Sequence, residues 1–336
     1  MPAETPFDLP VLELMLRLNW REPVRHHHPS VGLLKWLRSR LWRQCCALAR
    51  DGQLPCAELA AAGKPPVCAR RGDCIADDLI PLPGRSASHL APLVWLQPAH
   101  HQSSSANTGL MRLRLLGRQA DQHLPAVMAA LRDVGMPAVS GWNCEVRWLE
   151  DSRFTVAERA AQLGSFRAWR VEMLTPWRAA RSELGLATVQ DWQRHWLGAL
   201  PLQLAQRAYK FVSMDLEDRG RSGLTTQRGA EAHALSLGAR DHGALPALSM
   251  LQASRPSIRG MQITTQVSHS TGQEVDMVDV SGSFTWSAAL NAVQASTVGS
   301  WLAVAELMGL GASASEGYGA IQITGIDTRS IPGPWV

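Results

Sequence analysis

The chain has almost no lysine. Of its 33 basic residues only Lys35, Lys64 and Lys210 are lysines; the rest are arginines. A GC-rich coding bias accounts for that preference by itself, but arginine is also the better residue for bidentate phosphate contacts and for stacking on bases. No apolar run approaches the roughly 20 residues that span a bilayer, which excludes a helical membrane anchor within this sequence. Residues Met1 to Pro10 include Glu4 and Asp8 and lack a basic-then-apolar leader, so a cytoplasmic location is expected. There is no CxxC pair among Cys45, Cys46, Cys56, Cys68, Cys74 and Cys144. A disulfide scaffold does not suit a cytosolic chain of this size. Cys46 (or Cys45), Cys56, Cys68 and Cys74 leave a structural zinc site as the alternative to ordinary thiols. No Asp/Glu/His constellation has the spacing of a two-metal nuclease, and no cofactor is expected.

What is present describes a folded protein. Hydrophobic residues make up 46% of 336, enough for two domains with separate cores. The net charge is only +4, yet the cations gather at 17–25, 35–50 and 167–181, which permits nucleic-acid binding without requiring it. Val11 to Trp20 alternates as a strand should, and Ser30 suits the N-cap of a helix running to about Ala49. Residues 51–90 are rich in Pro, Gly, Cys and Ala and read as an insertion. Strands are predicted at Leu93 to Leu96, Gly109 to Leu116 and Cys144 to Leu149, with a helix from His123 to Val134. That order, β-α-(insertion)-β-β-α-β, is the order of a ferredoxin-like fold. A second unit follows: a strand from Trp169 to Thr175, a helical region at 188–211, strands at 260–268 and 278–286, a helix from Ala295 to Met308 and a strand from Ala320 to Thr324. The expected fold class is therefore α+β, with tandem ferredoxin-like domains over residues 1–155 and 165–330 and the boundary near 150–167.

The most informative stretch runs from Ala305 to Ile323. An apolar helix ends in Gly309 and Gly311, a small-residue loop follows, and Gly317-x-Gly319 leads into an alternating strand. Glycines between a helix and a strand permit φ > 0 and close backbone approach, and they leave amides free to meet phosphate oxygens. No Gly-Lys-Ser/Thr follows, so this is not a P-loop. The segment resembles the glycine-rich loop of the RAMP superfamily of CRISPR-associated RNA-binding proteins. Further motifs occur in the matching order: Leu115-Leu116-Gly117-Arg118-Gln119-Ala120 with His123-Leu124-Pro125, then Leu174-Thr175-Pro176-Trp177-Arg178, then Ser281-Gly282-Ser283-Phe284. Together they are similar to segments of the CRISPR pre-crRNA-processing endoribonucleases, across most of the chain. The sequence departs from that family where its loop carries a histidine and a lysine; Gly309 and Ala312 stand there instead.

The resemblance implies binding to CRISPR repeat RNA and crRNA, and association with other Cas proteins in an effector complex, away from membranes. It also implies metal-independent cleavage, in which the 2′-hydroxyl attacks the neighbouring phosphate. Such chemistry asks for a base, an acid and positive charge on the phosphate, roles suited to histidine and arginine. His26, His27 and His28, beside Arg25, are the densest supply, and the alternative for them is a solvated loop. His269, near a strand end, is a further candidate. Gly309, Gly311, Ser313, Gly317 and Gly319 are expected to meet RNA through the loop, with Arg25, Lys35, Arg38, Arg43 and Arg178 on phosphates. For the helical cations a solvated amphipathic face is the other reading. A second class of function stays open: a RAMP subunit that binds and caps crRNA without cutting it.

Overall fold

The computed structural model describes residues 9–20, 40, 46, 94–99, 108–117, 120–132, 144–180, 250–267, 273–310 and 318–327. They fall into two compact units, one from Pro10 to Arg153 and one that joins Leu9 to the residues from Phe154 onward.

In the first unit, β1 (Pro10–Trp20), β2 (Val94–Pro98), β3 (Thr108–Leu116) and β4 (Cys144–Thr155) form one sheet in the order β2-β3-β1-β4, and α1 (Ala120–Arg132) joins β3 to β4. β1 pairs antiparallel with β3, from Val11↔Leu116 to Asn19↔Thr108, and β2 pairs antiparallel with β3. The alternation read from the sequence decides which side chains go inside: Leu14, Leu16 and Leu18 are fully buried, and Arg17 between them is exposed. α1 buries Ala120, His123, Val127, Ala130 and Leu131 at helical spacing. This strand order, with a helix before the last strand, is that of a ferredoxin-like unit. Of the helix predicted from Ser30 to Ala49, only Arg40 and Cys46 are among the described residues; Arg40 is helical and Cys46 is buried.

β4 runs past Leu149 to Thr155, further than its sequence pattern suggests, because Glu150 to Arg153 are polar and exposed on both faces and carry no alternation. The stretch 150–167 is thus ordered structure. Thr155 caps α2 (Val156–Gly164) through a capping box: Glu158 N–H donates to Thr155 Oγ1 at 3.1 Å, and Thr155 N–H donates to Glu158 Oε2 at 2.7 Å.

The second unit continues with β5 (Ala168–Met173), β6 (Trp177–Ala180), β7 (Gln252–Val267), β8 (Glu274–Ser287), α3 (Ala292–Met308) and β9 (Ile321–Ile326). β5 and β6 pair with successive stretches of β8, Ser287 to Ser283 and Val280 to Met277, and so behave as one strand broken at Leu174-Thr175-Pro176. β7 pairs along the length of β8, and β9 pairs with β5. The resulting order, β7-β8-β5/β6-β9, is again ferredoxin-like. Trp169, Val171, Val280, Trp286 and Ile323 fill the core with Val298 and Leu302 of α3. The buried Trp169 indole donates to Leu163 O at 2.9 Å, which seats α2. No helix among the described residues is long and apolar enough to cross a membrane.

Candidate functional site: the base of the glycine-rich loop

α3 is a helix with little polar surface; every residue from Trp301 to Leu310 is buried. It stops because Gly309 takes φ 69° while its N–H still reaches Ala305 O at 2.8 Å. The returning strand is then stitched to the helix end and to the break between β5 and β6. Leu310 N–H donates to Gly319 O at 2.9 Å, and Gly319 N–H donates to Pro176 O at 2.7 Å. Leu174 N–H reaches Ala320 O at 2.8 Å, and Ala320 N–H donates to Thr175 Oγ1 at 2.8 Å. Pro176 has no N–H to lose at the break, and Thr175 supplies the acceptor that a continuous ladder would have supplied.

Gly319 sits at φ 65°, and a Cβ there would lie 1.6 Å from Leu310 O. A Cβ on Gly309 would lie 2.9 Å from Gly319 O. Gly309 and Gly319, two of the four glycines singled out in the sequence, therefore close the loop at its base, and their role is set by backbone proximity.

Arg178 occupies a different position from the one expected of a phosphate ligand. Its side chain is buried against Asp279, with Nε to Oδ1 at 2.6 Å and Nη2 to Oδ2 at 2.5 Å. The guanidinium carbon lies 3.6 Å from the centroid of the Tyr318 ring, a cation–π stack. Arg178 is 6% exposed and Asp279 is 4% exposed. The physical reason is local: β6 and β8 place the two residues directly opposite each other, in the register Arg178↔Asp279, where a fork-shaped cation and a carboxylate meet bidentately. The guanidinium thus braces Tyr318, beside Gly319, and is not presented to solvent.

A second buried pair steadies the helix that launches the loop. Glu306 of α3, 5% exposed, accepts from Arg159 Nε at 2.6 Å and Nη2 at 3.0 Å, and from Ile323 N–H at 2.8 Å. Arg159 Nη2 also donates to Ile323 O at 2.8 Å. α2, α3 and β9 are joined through one carboxylate. No role was expected for Glu306 from sequence, although a lone acid inside the apolar run Trp301 to Met308 was the available signal, since a buried charge needs a partner.

His26, His27, His28, His269, Arg25, Lys35, Arg38, Arg43, Gly311, Ser313, Gly317, Cys56, Cys68 and Cys74 lie outside the described residues. Among the site residues expected from sequence, the structure brings together Gly309, Gly319 and Arg178. It adds Thr175, Asp279 and Tyr318 to them.

No family model and no curated protein matches the chain. Among solved structures it is similar to a Cas6 product complex, with 13% identity, 94% of this chain and 100% of that chain covered, and a TM-score of 0.47. It is similar to Thermus thermophilus Cas6, with 13% identity, 94% and 98% covered, and a TM-score of 0.44. A RAMP protein described as binding different RNA substrates shares 8% identity, with 94% and 99% covered and a TM-score of 0.39. The ferredoxin-like assignment of both units rests on their own strand order.

Proposed function

We propose that the chain binds CRISPR repeat RNA through the loop between Gly309 and Gly319 and cleaves the precursor without metal. The observation that supports this most is the closed base of that loop. Gly309 and Gly319 adopt positive φ, Leu310 and Gly319 are tied backbone to backbone, and a buried Arg178–Asp279 pair stands beneath Tyr318. Such a base brings the two ends of the loop together, which lowers the ordering cost its amides would meet in donating to phosphate oxygens. In the proposed reaction the 2′-oxygen attacks the adjacent phosphorus and the bond to the 5′-oxygen breaks. A base takes the 2′-hydroxyl proton and an acid protonates the leaving 5′-oxygen. The products are a 2′,3′-cyclic phosphate and a 5′-hydroxyl. His26, His27, His28 and His269 are the proposed proton-transfer groups. Other Cas proteins are the proposed partners for the retained product.

A second reading is a non-cutting RAMP subunit that caps crRNA. It is favoured by the absence of any cationic residue from Leu310 to Ser315 and by the engagement of Arg178 with Asp279. Incubating the purified chain with repeat RNA in EDTA separates the two. A cyclic-phosphate product supports the endoribonuclease; tight binding with intact RNA supports the capping subunit; neither binding nor cleavage removes both.

A further inference from the structure

β4 is the outer strand of its sheet among the described residues. Its residues from Arg147 to Arg153 are exposed without alternation, so neither face of this segment is packed against a core. At its middle lie two adjacent large apolar residues, Trp148 and Leu149, each 45% exposed. Around them the charges run Glu145, Arg147, Glu150, Asp151, Arg153. Outer strands are commonly protected from pairing by charges that repel a second strand. Here the signs are ordered so that one register gathers more opposite-charge pairs than any other.

Two copies of a strand that pair antiparallel about a two-fold axis normal to the sheet must oppose residues of the same face. The axis therefore passes through a residue and not between two. Centred on Arg147, Glu150 or Asp151, the pairing sets each of those residues against its own copy, like charge on like charge. Centred on Trp148, it sets Glu145 against Asp151; centred on Val146 or Ser152, it makes one kind of opposite pair, Glu145 against Arg147 or Asp151 against Arg153. Centred on Leu149, it sets Glu145 against Arg153 and Arg147 against Asp151, and each pair occurs twice by symmetry. In that register Leu149 meets Leu149 on one face. On the other, Trp148 reaches diagonally to its own copy across the axis, within the range of an aromatic side chain.

We infer that β4 is a self-association edge, at which two copies of this chain pair antiparallel about Leu149 and extend the four-stranded sheet across a two-fold axis. The present partners of these charges do not oppose the exchange. Glu145 accepts from Arg147 at 2.8 Å and from Asn19 Nδ2 at 3.4 Å, and Arg153 pairs with Asp121 at 2.8 Å, but the side chains of the two ion pairs are 56–65% exposed. Exposed pairs of this kind contribute little and are readily traded for cross-strand partners. Main-chain hydrogen bonds along the added strand supply affinity, and the charge order supplies register.

The test uses the full RNA-free chain, so its outcome is independent of the proposed function. Sedimentation equilibrium over a concentration series should show a monomer–dimer equilibrium for the parent. Arg147→Asp and Asp151→Arg each oppose like charges twice per interface, and each should raise the dimer dissociation constant about tenfold or more. The double exchange R147D/D151R restores opposite charges and should restore the dimer, while circular dichroism should show the parent spectrum in both single variants. A parent that is monomeric throughout overturns the inference. So do single variants with an unchanged constant, or an exchange that fails to recover the dimer.

Discussion

The carbonyl oxygen of Leu310 lies 1.6 Å from where a Cβ on Gly319 would sit, so these two backbones touch because one residue has no side chain. The contact joins the end of α3 to the start of β9 and sets the width of the loop base.

Gly319→Ala tests that contact. The added Cβ cannot coexist with Leu310 O, and φ of 65° is costly for an L-residue. A loss of about 2 kcal/mol or more in urea unfolding is expected, together with weakened binding of repeat RNA. Parent stability and parent affinity in the same variant would show that the loop base opens without consequence.

Arg178→Met strands Asp279 in the interior. Leaving one buried charge without its partner costs about 3 kcal/mol or more. Arg178→Lys should recover only part of this, because an ammonium cannot reproduce the two-point fork. The logarithmic salt slope of RNA binding should stay unchanged in the charge-removing pair Arg178→Met with Asp279→Asn, which leaves no unpaired buried charge. A guanidinium committed to Asp279 releases no counterion, and a slope reduced by about one would place Arg178 on a phosphate after all.

Glu306→Gln tests the junction of α2, α3 and β9. The amide can still accept from Ile323 N–H, but Arg159 loses its ionic partner. With Arg159 partly exposed at 24%, the expected loss is about 2 kcal/mol, below the roughly 3–5 kcal/mol of a fully buried pair. Arg159→Met combined with Glu306→Gln should cost less than the sum of the single changes in a double-mutant cycle.

The Arg153 guanidinium, by hydrogen bonds to Asp121, holds that carboxyl below its ordinary value of 3.8. A carboxyl whose folded pKa is depressed stabilises the fold above the unfolded pKa and loses that contribution as pH falls through the folded value. Asp121→Asn should therefore leave neutral-pH stability nearly unchanged and flatten the acid limb below about pH 4. Unfolding curves at pH 2.5 to 7 check both.

Replacing His26, His27 and His28 together with alanine should slow cleavage by about 10²-fold, the usual worth of a positioned proton-transfer group. Affinity should change little, since neutral imidazoles attract phosphate weakly. Any limb of the pH–rate profile near about 6.5 should disappear. An unchanged rate in the folded variant would move the search to His269.

The local signals in this sequence determined the element types well wherever one face is buried. β1, β3, α1 and β8 were legible because burial of one face imposes a period of 2 or 3.6 on the apolar residues, and α3, apolar all round, was legible as a helix-forming run ended by glycine. The end of β4 was not, since an exposed strand needs no alternation. The break between β5 and β6 hid in Leu174-Thr175-Pro176, where a hydroxyl and a proline stand in for missing ladder bonds. Gly309 and Gly319 were readable as backbone positions because glycine between a helix and a strand has a conformational meaning of its own. Arg178 and Glu306 were not, because the fate of a charge depends on what lies opposite it. Sequence alone determined that these residues carry charge; the register Arg178↔Asp279, and the crossing of α2 and α3 at Arg159 and Glu306, came only with the tertiary structure. Strand pairing and helix packing bring together residues far apart in the chain, and whether a guanidinium meets solvent or a buried carboxylate is decided there.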